Sequence, residues 1–140
     1  MTRRSSETAS ENHSGEAISE TVPYAYAATA PPHARTVFLA GACPLDVDGH
    51  VVAPGDFIEQ TSACIENMER ALAAAGATVH DVVFVRALVA SAVQTDLAKV
   101  WAVVHNHFGK RTPPSTLMGV TVLGWPNQLV EIEAVAALVD

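Results

Sequence analysis

Positive charge is scarce in this sequence. Its 140 residues carry eight lysines and arginines against fifteen aspartates and glutamates, for a net charge of −7. Binding a nucleic-acid backbone needs a basic footprint, and here the bases are few and scattered along the chain. A nucleic-acid partner is therefore not expected. Cysteine is scarce as well. Cys43 and Cys64 form no CxxC pair and show no zinc-ligand spacing, so they read as reduced thiols in a cytoplasmic protein. No run approaches the roughly 18 apolar residues of a membrane span, and no membrane partner is expected. The opening "MTRRSSETASENHSGEAISE" has basic residues but no apolar run after them, unlike a secretory signal. Its Ser, Glu, Thr and Asn content cannot bury surface, so residues 1–20 are expected to be a disordered tail ahead of a single domain over residues 21–140.

What is abundant is apolar surface. Hydrophobic residues make up 49% of the chain and charged residues 16%. A chain of this length is one domain with a real core. It carries more apolar surface than one such core hides, and a subunit interface is the natural outlet.

The pattern of that surface gives the elements. "ARTVFLAGA" (34–42) is short, apolar and rich in β-formers, as in a buried strand. "PLDVDGHVV" (44–52) follows as a second strand, with an Asp-Gly turn or hairpin signal. In 56–75, Phe57, Thr61, Cys64, Ile65, Met68 and Leu72 recur at steps of three and four, which predicts a helix. Asp56 with Glu59 makes a capping box and Gly76 a C-terminal stop. "DVVFVRALVA" (81–90) is the next strand. Thr95 is placed to cap a second helix with Leu97, Val100, Trp101, Val104 and Phe108 on one face and Gly109 as terminator. "TLMGVTVL" (116–123) and "LVEIEAVAAL" (129–138) are the last strands. This order predicts an α+β two-layer sandwich, with two helices on one face of a mixed sheet. The strands are apolar on both faces, so the uncovered face is expected to pack against other subunits.

Five segments then line up in one order: "VPYAYA" (22–27), "FLAGACPLD" (38–46), "ALAAAGATVHDVVFV" (71–85), "FGKRTPPSTLMGV" (108–120) and "LVEIEAVAAL" (129–138). Together they resemble the Rid family, also called YjgF, over roughly residues 22–139. The resemblance implies a chorismate-mutase-like fold and a homotrimer whose three sheets enclose a central barrel. It also implies three pockets in the clefts between subunits. The best-known members hydrolyse reactive enamines and imines to a keto acid and ammonia, with no metal and no cofactor. Older family labels say translation inhibitor or endoribonuclease.

The resemblance is incomplete where it matters most. Family deaminases carry Pro-Ala-Arg-Ser/Thr before the penultimate strand, and the arginine grips the substrate carboxylate in bidentate fashion. Here Pro113-Pro114-Ser115-Thr116 takes that place, with Ser115 at the arginine position. Arg111 lies four positions upstream in a Pro-bounded loop. The family's Ser-Gly-Gln reads Ala40-Gly41-Ala42, while Tyr24 keeps the Pro-Tyr pair and Glu131 keeps the carboxylate that orients the attacking water. Losing a buried charge-assisted pair costs on the order of 2–5 kcal/mol, about 30- to 4,000-fold in binding. Imines derived from amino acids are therefore disfavoured, and a neutral or less acidic ligand is expected.

Glu131 is the catalytic candidate. Tyr24, Gly41, Ser115, Thr116 and Trp125 are the candidates for shaping a small-molecule site. Each has a plainer reading. Glu131 and Glu133 share one face of a strand and could both face solvent. Tyr24 and Trp125 could be packing or interface aromatics, and Ser115 and Thr116 strand-start hydroxyls. Cys43 and Cys64 read as core cysteines, since no base is identifiable to make a thiolate. His105 and His107 lie two apart on a helix and do not face each other, and no other histidine has ligand spacing, so no metal site is expected. No Ser-His-Asp arrangement has a supporting motif. The expected function is a cytoplasmic homotrimer that binds a small metabolite and hydrolyses or tautomerises an enamine or imine other than the usual imino acids. The alternative is a non-enzymatic binding or accessory trimer that has lost deaminase chemistry.

Overall fold

The computed structural model describes residues 9–14, 19 and 21–140. Most of the expected tail lies outside these residues. Of its described part, Glu11–His13 forms a strand (β1) that pairs antiparallel with Ala27–Thr29 (β2). This small sheet had no signal in the sequence, because its residues are polar and exposed.

The main sheet has four strands: Arg35–Phe38 (β3), Val82–Val89 (β4), Ser115–Gly119 (β5) and Val130–Leu138 (β6), in the order β3-β6-β4-β5. β6 pairs antiparallel with β3 and β4, and β5 runs parallel to β4, so the sheet is mixed. Helices Phe57–Ala74 (α1) and Gln94–Phe108 (α2) cover one face. This is the α+β sandwich the periodicity predicts.

Period-two alternation decides which side chains meet the helices. Val85, Ala87 and Val89 of β4 and Val130, Ile132, Ala134 and Ala136 of β6 are buried against Cys64, Ile65, Met68 and Leu72 of α1 and Val100 and Val104 of α2. The intervening residues Phe84, Arg86, Leu88, Glu131, Glu133 and Val135 point to the uncovered face and are half-buried. Phe38, the register partner of Val135, is 78% exposed there.

The helix ends follow the sequence only in part. The Asp56 carboxylate accepts from the Glu59 amide at 3.0 Å, and Gly76 takes φ +81° just beyond the helix, as expected. Thr95 does not cap α2. The helix starts after Val93, and Ser91 does the polar work instead. Its hydroxyl accepts from the Val93 amide at 3.0 Å and donates to Asp96 at 2.7 Å. A serine two residues before the cap satisfies the turn that Thr95 would have closed, and so moves the start forward.

Two strands are shorter than their apolar runs. β5 ends at Gly119, after which Val120 donates back to the Val89 carbonyl and the chain turns away. β3 ends at Phe38, and Ala42 then rejoins β6 opposite Ile132. Four residues on this side span what three span on β6, so the chain bulges at Leu39–Gly41. Residues 44–52, expected as a strand, form none and turn back on themselves at the Asp-Gly signal, held by one isolated bridge. Leu45 bridges Val51, Gly49 takes φ +80°, and the Asp46 carboxylate accepts from the amides of Asp48 and His50.

Met68 is fully buried at the centre of the helix-sheet contact. Met68→Ala is expected to cost about 2–5 kcal/mol in urea unfolding. Val47→Ala, at an 89% exposed turn position, should stay within about 0.5 kcal/mol.

Candidate functional site

The bulge before Ala42 and the loop before β6 converge on Glu131. Glu131 lies on the uncovered face of β6, with its carboxylate directly over Gly41. A Cβ built on Gly41 would fall 2.6 Å from both Cδ and Oε2 of Glu131. Only glycine leaves room for that approach. Cys43 stands across from Glu131 and donates its thiol to Oε1 at 3.2 Å. Gln128 Nε2 lies 3.5 Å from the same oxygen and donates to the Val130 carbonyl at 3.0 Å. Among the described residues, Oε2 accepts no hydrogen bond.

Two buried glutamines hold the loop that completes the cluster. Gln60, fully buried on α1, accepts from the Leu129 amide at 2.8 Å and donates to the Ala53 and Asn127 carbonyls. Gln128, also buried, accepts from the Trp125 amide at 3.1 Å. Asn127 takes φ +67°, a left-handed conformation that asparagine tolerates. The loop thereby brings the half-exposed Trp125 to the Cys43 sulfur. A buried amide whose bonds are all made fixes a loop more tightly than apolar contact does.

The Cys43 thiol is pushed up to about 11, first by burial and then by the hydrogen bond and the negative charge of Glu131. It remains a protonated donor at neutral pH and is no nucleophile. Cys64 is buried deeper in the core, and burial raises its thiol further.

Of the residues singled out in the sequence, Gly41, Trp125 and Glu131 meet here. The others lie elsewhere in the chain. Tyr24 packs edge-on against Tyr26 and Trp101, with ring centroids 6.1 and 5.8 Å away, on the α2 side. The Ser115 hydroxyl donates to the Pro113 carbonyl at 2.7 Å, at the start of an edge strand. Thr116 is the register partner of Arg86, with β4 standing between it and β6. Glu133 is taken up by Arg86 at 3.1 Å. Cys43 and Gln128 were not identified as site residues from the sequence. Their role depends on cross-strand placement, and no local pattern carries it.

A half-buried carboxylate held by two neutral donors, open on one oxygen, with an aromatic at its edge, can accept and return a proton. Among the described residues no cation joins the cluster. The cluster lies on the sheet of a small α+β domain.

Comparisons agree with this class. A family model described as Endoribonuclease L-PSP matches residues 14–138, and the chain belongs to this family, the YjgF or Rid family. A RutC family protein of Pyrococcus abyssi is 35% identical over 100 residues, which are 71% of this chain and 76% of that protein. A Rid-family protein of unknown function from Yersinia pestis superposes with a TM-score of 0.82 at 29% identity, covering 92% of this chain and 98% of that one. A YjgF-family member from Mycobacterium tuberculosis has a TM-score of 0.62 at 32% identity, covering 93% and 100%.

Thiol alkylation tests the geometry around Glu131 without any substrate. The rate at Cys43 should rise with pH toward a midpoint near 11, since only the thiolate reacts. Glu131→Gln removes the acceptor and the repelling charge, so the midpoint should fall. It should stay above the ordinary thiol value of about 8.5, because burial remains. Gly41→Ala displaces the carboxylate and should lower the midpoint in the same way. An unchanged midpoint in both variants would refute the Cys43–Glu131 contact.

Proposed function

We propose that the chain acts in the cytoplasm as a homotrimer and binds a small metabolite in clefts between subunits. There it hydrolyses or tautomerises a reactive enamine or imine other than the amino-acid-derived imino acids. The observation that carries this reading is the Glu131 carboxylate, oriented over Gly41 by Cys43 and Gln128 in a cluster without a cation. In hydrolysis, Glu131 takes a proton from water as its oxygen adds to the C=N carbon. It returns that proton to the nitrogen to give a carbinolamine, then carries the carbinolamine hydroxyl proton to the same nitrogen as the C–N bond breaks, leaving a carbonyl compound and ammonia or an amine. In tautomerisation, the same carboxylate moves a proton between carbon and nitrogen. Both need only a positioned base of suitable reach. Proton transfer asks for no metal and no cofactor.

Support for the trimer is the uncovered sheet face, on which Phe38, Leu88, Met118 and Val135 surround the Arg86–Glu133 pair. In a closed assembly these faces would line a central barrel. Tyr24, Ser115 and Thr116 would then reach Glu131 from a neighbouring subunit. Ser115, not arginine, would meet the distal end of the ligand, which is why a carboxylate there is disfavoured.

The second reading is a binding or accessory trimer without chemistry. It would be favoured if Glu131 stood alone as the polar group of its cleft. The thiol of Cys43 and the amide of Gln128 beside it favour turnover. A ribonuclease reading, which the family description invites, meets a chain of net charge −7.

The test is an imine-deamination assay in which an amino-acid oxidase supplies imines and semicarbazide traps them. The unmodified protein should lower semicarbazone formation no more than its Glu131→Ala variant does. Ser115→Arg should gain at least about 30-fold on these carboxylate-bearing imines, the lower end of a buried charge pair's contribution. Strong Glu131-dependent turnover by the unmodified protein would overturn the carboxylate argument. Sedimentation should give a trimer of the 14.7 kDa chain, and a monomer at micromolar concentration would overturn the shared cleft.

A further inference from the structure

A second cavity, of about 220 Å³, is built by three parts of the chain that the Glu131 cluster does not use. Ser10 and Asn12 enter it from β1, His80 from the 3-10 turn Val79–Asp81, and His107, Lys110 and Arg111 from the end of α2 and the 3-10 turn Gly109–Arg111. The rest of its lining is apolar. Among the described residues no acidic side chain lines it. Glu69 holds His107 Nε2 at 3.0 Å from outside the lining, and Asp81 accepts from the Thr78 amide at 2.7 Å.

The cavity is also fixed and incomplete. Asn12 Nδ2 donates to the Arg111 carbonyl at 3.3 Å, tying β1 to the turn that carries the two cations. The Ser10 hydroxyl oxygen is buried and has no hydrogen-bond partner among the described residues. An unpaired buried hydroxyl lowers stability, and an acceptor arriving in the cavity would recover that loss.

We propose that this cavity binds a phosphate group, carried by a small metabolite or as free phosphate. Its donors come from three directions: a guanidinium fork, an ammonium, ring nitrogens and a hydroxyl. A tetrahedral oxyanion offers acceptors to all of them, whereas a planar carboxylate offers two oxygens. The cavity volume suits one such group. A nucleic-acid backbone would need a track of cations, which this single cavity is not. Charge of one sign inside a cleft also concentrates anions there, against the repulsion of the whole acidic molecule.

The experiment is a titration of the full chain with inorganic phosphate at fixed ionic strength, followed by amide chemical shifts. Saturable binding with Kd near or below about 1 mM is expected, centred on Asn12, His80 and Arg111. The double variant Lys110→Gln/Arg111→Gln changes only exposed side chains, so an unchanged melting temperature confirms its fold. It should weaken binding at least about tenfold. Ser10→Ala should weaken phosphate binding and raise the melting temperature of the phosphate-free protein, because the orphaned hydroxyl is gone. Glu131→Gln should leave phosphate binding unchanged, which separates this site from the one proposed for enamines. Glycerol 3-phosphate binding tighter than inorganic phosphate would assign a phosphorylated metabolite, and weaker binding would assign free phosphate. No saturation by 10 mM phosphate on the order of ten times that Kd, equal binding of acetate, or full retention in the double variant would overturn the proposal.

Discussion

Everything in this molecule is hung on β6. It is an inner strand, paired on both edges, and its side chains alternate between two environments from Val130 to Ala136. Val130, Ile132, Ala134 and Ala136 fill the contact with the helices, while Glu131 and Glu133 are forced to the opposite face. A slip of one residue would put two carboxylates into the core and four apolar side chains on the uncovered face. The energy of the core therefore fixes the position of the candidate base. Stability and chemistry are set by one register.

The surroundings of Glu131 follow from departures from regular structure. The extra residue in the chain after β3 lets Gly41 slide beneath the carboxylate and brings Cys43 across from it. The buried amides of Gln60 and Gln128 hold the loop that ends with Leu129. Neither glutamine is needed for a hydrophobic core. They hold a segment that has few apolar contacts of its own, and that segment carries Trp125. The result is a carboxylate with one oxygen occupied by neutral donors and one left for a ligand.

Charge distribution shows a second consequence of folding. Along the sequence the basic residues look scattered, and the chain as a whole repels anions. Folding gathers His80, His107, Lys110 and Arg111 around one cavity and turns the nearby acids outward. Net charge describes the average field and not the local one. Arg111, which in sequence stands near the missing arginine, faces this cavity with β1 against it.

The sequence by itself determined the architecture: two amphipathic helices, the strands they cover, the stops at Gly76 and Gly109, and the alternation that sends Glu131 and Glu133 to one face. These rest on periodicity and on local backbone preference, which short stretches of chain carry in full. Only the tertiary structure decided where strands stop, because β5 ends where its partner β4 ends and β3 ends where its own chain bulges away from β6, not where the apolar runs end. It decided that Ser91 and not Thr95 shapes the start of α2. It paired Cys43 and Gln128 with Glu131, and it placed Ser10 beside Lys110 and Arg111. Those neighbours are separated by tens of residues, and their meeting depends on sheet register, a bulge and a two-stranded ribbon that no local pattern encodes.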